Sequence, residues 1–156
     1  MNLKRIEVDL DIAQRYITPE VNPTNDEYYY DAAAYHAQQA IEKTLKYVLH
    51  DIYGEDDTTR KFKTHNIATL ILKAEKYGFK VNDELIDMSD EITDWEANSR
   101  YSSSTISTKE NIEKAIQLNK ELLENIKNLE NIKTVDVEEI DNSKLDESDN
   151  SSLEDL

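Results

Sequence analysis

The sequence predicts an all-α protein, an up-and-down bundle of about five helices, on two observations. Only two glycines (Gly54, Gly78) and two prolines (Pro19, Pro23) occur in 156 residues. Sheet-rich chains need frequent tight turns built from those residues, so their scarcity favours long helices. Along most of the chain, apolar residues recur at the three- and four-residue steps of a helix with one buried face.

Leu3, Ile6, Leu10, Ala13 and Ile17 place a first helix over residues 3–17. The stretch TPEVNPTNDE, with both prolines, ends it. A long second helix runs from Glu27 to Tyr53 and stops at Gly54, since glycine commonly follows a helix end. EDDTTRKFKTH is then a charged loop. Thr64 is the expected N-cap of a third helix carrying Ile67, Leu70, Ile71 and Ala74, closed by Gly78. Asn82 caps a fourth, with Leu85, Met88, Ile92 and Trp95 on its inner face. NSRYSSSTIS reads as a polar loop. Ser107 and Glu110 have capping-box spacing ahead of a last helix bearing Ile112, Ala115, Ile116, Leu122, Ile126 and Leu129. There is no internal repeat, and the length suits one domain.

Charge divides the chain further. The formal net charge is −16, and residues 134–156 hold nine acids and one lysine, leaving −8 to residues 1–133. The expected organisation is therefore a helical domain over 1–133 and a disordered acidic tail over 134–156, too polar to order itself by burial. An acidic body also argues against broad, non-specific contact with nucleic acid. With no cysteine, disulfides, thiolate zinc sites and cysteine nucleophiles are excluded. The N-terminus lacks the apolar core of a signal peptide, and no stretch reaches the length of a membrane span. A cytoplasmic protein without membrane contact is expected.

On the second helix, Ala33, Ala37, Ala40, Ile41, Thr44, Val48 and Ile52 share one face, its start lined by alanines that permit a close helix crossing. His36, Lys43 and His50 follow its edge. His36 and His50 stand about 21 Å apart along the axis, too far to share a metal. A half-buried His36 bonded to a neighbouring helix is the plainer expectation. Gln38, Gln39 and Glu42 are expected to look outward or sideways, with Glu42 and Lys46 a surface pair at favourable spacing. Arg60, Lys61, Lys63 and His65 form the densest basic cluster. Beside a helix N-terminus it suits a phosphate; alternatively it is a solvated loop balanced by Glu55, Asp56 and Asp57. Arg100 suits an ion pair with Asp94 or Glu96, and Trp95 suits the core. Tyr28, Tyr29 and Tyr30 suit an interface or groove wall.

Three segments together, AAAYHAQQAIEKTLKYVL, KTHNIATLI and SRYSS, resemble the HEPN domain (higher eukaryotes and prokaryotes nucleotide-binding), a small all-α family. Its long helix reads A-x-F/Y-H-A-Q-Q-A-x-E-K-x-L-K, matched from Ala34 to Lys46. Thr64, His65, Asn66 and Ile67 match the start of its next helix, and Arg100 and Tyr101 match its Arg-Tyr pair. The similarity spans residues 3–130. It implies a homodimer that binds a nucleotide or RNA, often paired with a minimal nucleotidyltransferase as toxin and antitoxin. Active relatives are metal-independent ribonucleases with an Arg-x4–6-His motif at the dimer interface. Here Thr105, Ile106 and Ser107 occupy the positions where that histidine would stand, and Ser102 replaces the proline that often follows the pair. Binding without ribonuclease catalysis is therefore expected, with candidate contacts His36, Lys43, Lys61, Lys63, His65, Arg100 and Tyr101. The alternative is a ribonuclease toxin using Arg100, or Arg60 and His65, which also have Arg-x4-His spacing. No metal site and no cofactor are expected.

Overall fold

Five α-helices follow one another: α1 (Leu3–Tyr16), α2 (Glu27–Tyr47), α3 (Ile67–Lys76), α4 (Asp83–Tyr101) and α5 (Lys109–Glu154). The computed structural model describes the backbone of residues 2–56, 64–101 and 107–154, and their side chains except those of 98–101 and 133–154. No strand occurs among the described residues, as an all-α fold requires. The expected long second helix is present, but its last turn widens into a π-helical turn, Val48–Ile52. Gly54, at φ 73°, ends the run, and its N–H reaches the His50 carbonyl at 3.0 Å. Tyr53 beyond that turn stacks on Tyr77 beyond α3, with ring centroids 4.7 Å apart.

Side-chain oxygens cap the helix starts, each satisfying a backbone N–H that has no partner within its helix. Asp26 accepts from Tyr28 N–H at 2.9 Å, and Asn82, as expected, from Glu84 N–H at 2.9 Å. Two expected caps are displaced. Asn66 rather than Thr64 caps α3, accepting from Thr69 N–H at 3.0 Å, while Thr64 Oγ1 accepts from Asn66 N–H at 3.1 Å. Thr108 rather than Ser107 caps α5, accepting from Asn111 N–H at 3.2 Å. A cap works only where its oxygen overhangs the second or third helical N–H, so a shift of one or two residues selects a different side chain. Helix α4 also runs on to Tyr101, into the expected polar loop, because Asn98 to Tyr101 include neither glycine nor proline to stop it.

Two compact units divide the chain, Met1–Leu123 and Glu124–Leu156. In the first, α2 is central and packs against α1, α3 and α4. Antiparallel α1 is fixed by Tyr16 edge-on to Tyr29, centroids 5.6 Å apart, and by Asp9 against α2. Antiparallel α4 and α5 are joined by Asn111 to Glu91 at 3.1 Å, Lys114 to Glu84 at 3.4 Å and Asn82 to Glu121 at 3.0 Å. Ala33, Ala37 and Ala40 are wholly buried, in keeping with a close crossing. Trp95, Ile92 and Leu85 of α4 join Ile41 and Leu45 of α2, and Leu49 of the π-helical turn, among the buried side chains. In the second unit the backbone remains helical to Glu154, so no helix end marks the start of the acidic stretch at residue 134.

Asn119 lies on the inner face of α5, fully buried, with neither amide atom hydrogen-bonded. An unsatisfied buried amide costs about 1–3 kcal/mol. Asn119→Leu should therefore raise unfolding free energy by about 1 kcal/mol, whereas Ile41→Ala should lower it by about 2–5 kcal/mol. Urea unfolding of both variants checks the two signs.

Candidate functional site

Helix α2 is covered on more than one side, and this decides which of its polar residues face inward. Beyond the stripe of Ala33, Ala37 and Ile41 lies a second buried stripe of Ala34, Gln38, Glu42 and Leu45, continued by Leu49 in the π-helical turn. Gln38 and Glu42 stand about 100° and 140° round the helix from Ala37. The expectation that they look outward or sideways is thus corrected: both are buried. A helix at the edge of a bundle buries one stripe, but a helix between α1 and the α3–α4 pair buries a wider arc.

A buried carboxylate has to be hydrogen-bonded, and Glu42 meets that demand from three directions. Its Oε1 accepts from Gln38 Nε2 at 3.1 Å and from His65 Nδ1 at 2.9 Å. Its Oε2 accepts from Lys46 Nζ at 3.3 Å. Gln39 Nε2 donates to Gln38 Oε1 at 2.7 Å, which orients the Gln38 amide so that its nitrogen faces Glu42. The Glu42–Lys46 pair is therefore an inward contact and not a surface one.

His65 stands just before α3, held there by the Thr64–Asn66 turn and by Ile67 N–H donating to Thr93 Oγ1 of α4 at 3.0 Å. Its Nδ1 also lies 3.7 Å from Glu96 Oε2 of α4. Three elements thus converge, and the facing donor atoms of Glu42, His65 and Glu96 all lie within 4.8 Å of one another. The site has a closed and an open side, since the Glu42 side chain is 7% exposed and that of His65 61%. With Nδ1–H donated to a carboxylate, the neutral ring keeps its lone pair on Nε2. Arg100 follows Glu96 by one helical turn on the same face of the α4 backbone.

A second polar cluster occupies the opposite flank of α2. Asp9 of α1, itself buried, accepts from His36 Nδ1 at 2.9 Å and from Lys43 Nζ at 2.5 Å. Burial pushes the Asp9 carboxyl up, but the hydrogen bonds from His36 and Lys43, with their charges, outweigh it and hold the group below its ordinary value. The geometry is that of a clamp between helices. His36 is bonded to its neighbour in the way expected of a half-buried ring.

The candidates therefore separate. His65 stands near the turn of α4 that carries Arg100, whereas His36 and Lys43 belong to the α1 flank. Arg60, Lys61 and Lys63 lie outside the described residues. Arg100 and Tyr101 end α4, with side chains outside the description, so the expected pairing of Arg100 with Asp94 or Glu96 also falls outside it. Of the tyrosines, Tyr28 is 77% and Tyr29 40% exposed, and Tyr30 Oη donates to Asn25 at 2.7 Å. Sequence reasoning passed over Asp9, Gln38 and Glu42 as site members and took Glu96 only as a partner for Arg100. The four-residue spacing of Gln38 and Glu42 was a usable signal for one contact, whereas nothing local marks Asp9 as facing His36.

A family model described as HEPN domain matches residues 10–129. No curated protein matches the chain, and no solved structure does. No helix among the described residues is long and apolar enough to cross a membrane.

Asp9 generates a pH prediction. Its folded pKa lies below the ordinary 3.8, so its stabilisation is complete above that value and is lost as pH falls through the folded one. Asp9→Asn should cost about 2 kcal/mol at neutral pH, the scale of hydrogen bonds to a charged group. The gap to the native chain should narrow once pH drops below 3.8. Urea unfolding of both proteins across acid pH checks it, and a gap that widens in acid would contradict the assignment.

Proposed function

Since this chain belongs to the HEPN domain family, we propose that it is a cytoplasmic, homodimeric module that binds a nucleotide, an RNA or a minimal nucleotidyltransferase partner without cleaving RNA, as one half of a toxin–antitoxin-like pair. Family membership supports a function connected with nucleotides or RNA. The observation that carries the rest is the meeting of Glu42, His65 and Glu96 one turn before Arg100. It brings together two of the segments in which the family likeness resides, beside the turn of α4 that precedes the third. Residues 105 to 107 offer no histidine, so the acid–base group of the active ribonuclease pattern is lacking there. His65 can offer a donor to a phosphate on the open side of the cluster, and Arg100 is a sequence candidate for the same contact. Lys61, Lys63 and Tyr101 remain sequence candidates for the same contact, while His36 and Lys43 are engaged with Asp9 and serve the scaffold.

One observation favours a second reading, a metal-independent ribonuclease toxin. A carboxylate holding a histidine Nδ1–H leaves Nε2 free to take a proton, the arrangement used to prepare a general base, and Glu42 holds His65 in this way. An RNA 2′-hydroxyl would be the group deprotonated, with Arg100 or Arg60 stabilising the charge on phosphorus.

Incubating the purified chain with single-stranded and structured RNAs in excess chelator distinguishes the readings. The binding reading expects saturable affinity for RNA or nucleotide and intact RNA. His65→Ala and Arg100→Ala should each weaken that affinity about tenfold or more, the scale of a lost charge-assisted phosphate contact. Cleavage that disappears in both variants would replace it with the ribonuclease reading. Neither binding nor cleavage would turn the assignment towards a protein partner.

A further inference from the structure

We propose that Glu42, His65 and Glu96 form a binding site for a first-row divalent transition cation such as Zn2+. The inference does not rest on the nucleotide- or RNA-binding reading. Its basis is the geometry of three donor atoms from three elements: Glu42 Oε1 of α2, His65 Nδ1 before α3 and Glu96 Oε2 of α4. The histidine nitrogen is 2.9 Å from the first carboxylate oxygen and 3.7 Å from the second, and one donor atom from each of the three residues lies within 4.8 Å of the others. Ligand atoms bound to one tetrahedral Zn2+ at about 2.0–2.2 Å stand about 3.4 Å apart. The two spacings from the histidine bracket that value, so side-chain shifts of about 1 Å would close the set on one ion.

The donor chemistry selects the cation class. One imidazole nitrogen with two carboxylate oxygens suits Zn2+, Mn2+ or Co2+, whereas Ca2+ and Mg2+ favour all-oxygen sets. The supporting contacts are those of a held ligand. Gln39 orients Gln38 at 2.7 Å, Gln38 donates to Glu42 Oε1 at 3.1 Å, and Lys46 holds Oε2 at 3.3 Å. Contacts of this kind fix the direction of a metal ligand. Lys46 also confines Glu42 to one ligating oxygen. A cation would take the place of the hydrogen between His65 Nδ1 and Glu42 Oε1, with the ring hydrogen moving to Nε2. Three protein ligands leave a coordination position for water or a ligand oxygen, on the side where the His65 ring is 61% exposed. No short motif advertises such a site, because its ligands stand at 42, 65 and 96.

The test titrates the full chain, stripped with chelator, with Co2+ under visible absorption, followed by displacement with Zn2+. One equivalent of Co2+ per chain, with the intense bands of a four- or five-coordinate ion lost on adding Zn2+, is the expected result. His65→Ala and Glu96→Gln should each weaken binding at least about tenfold. The pair Asp146→Asn and Glu147→Gln, which removes acids of the C-terminal stretch, should leave it unchanged. Glu96→Gln preserves side-chain shape and keeps the test informative if His65→Ala lowers stability. No bands at millimolar Co2+, or equal affinity in the two site variants, would overturn the site and assign cation uptake to the chain's other acids.

Discussion

The fully covered position of Glu42 is the constraint around which the first unit is arranged. A carboxylate on a side chain only 7% exposed is tolerable only with hydrogen-bond donors on both oxygens, because removal from water without them costs several kcal/mol. Two donors, Gln38 and Lys46, come from its own helix at four residues before and after. The third, His65, must be delivered by the segment leading into α3. That requirement fixes where α3 begins, and Asn66 then caps it. Ile67 N–H on Thr93 and His65 beside Glu96 carry the same constraint to α4. A side chain in the middle of α2 thereby sets the placement of two later elements.

The other flank of α2 works by a different balance. Alanines bring α1 and α2 close, and small side chains give shape without a unique register. Asp9, reaching both His36 and Lys43, supplies the register that the alanines leave open, since sliding α1 by a residue would rotate it about 100° out of reach. Apolar packing supplies most of the burial on this flank, and the polar clamp selects one arrangement of it. The two polar clusters thus stand on opposite flanks of one helix with separate work: one locks a scaffold crossing, and the other gathers groups with chemistry beside a solvent-facing ring.

Helix number and order were legible because a helix is a local object. Residue spacing gives its face, and a cap or a glycine gives its end, so the starts of α1, α2 and α4 could be read from neighbouring residues. Caps misjudged by one or two residues at α3 and α5 arose where several oxygen-bearing side chains follow one another: Thr64 and Asn66, or Ser107 and Thr108. The choice among them depends on where the segment is held by the rest of the fold. The π-helical turn at Val48–Ile52 left no mark that spacing could reveal.

The amino-acid sequence by itself determined the all-α class, the five helices, the alanine-lined crossing and the HEPN likeness, all properties of residues close together in the chain. His65 and Arg100 were also legible as residues of interest, through the segments around them. Only the tertiary structure decided that Glu42 faces inward, that Asp9 clamps His36 and Lys43, and that Glu42, His65 and Glu96 meet. The physical reason is that helical spacing gives the direction of a side chain relative to its own axis. Whether that direction leads to solvent or to another helix depends on how many neighbours cover the helix, and those neighbours are chosen by packing between residues far apart in sequence.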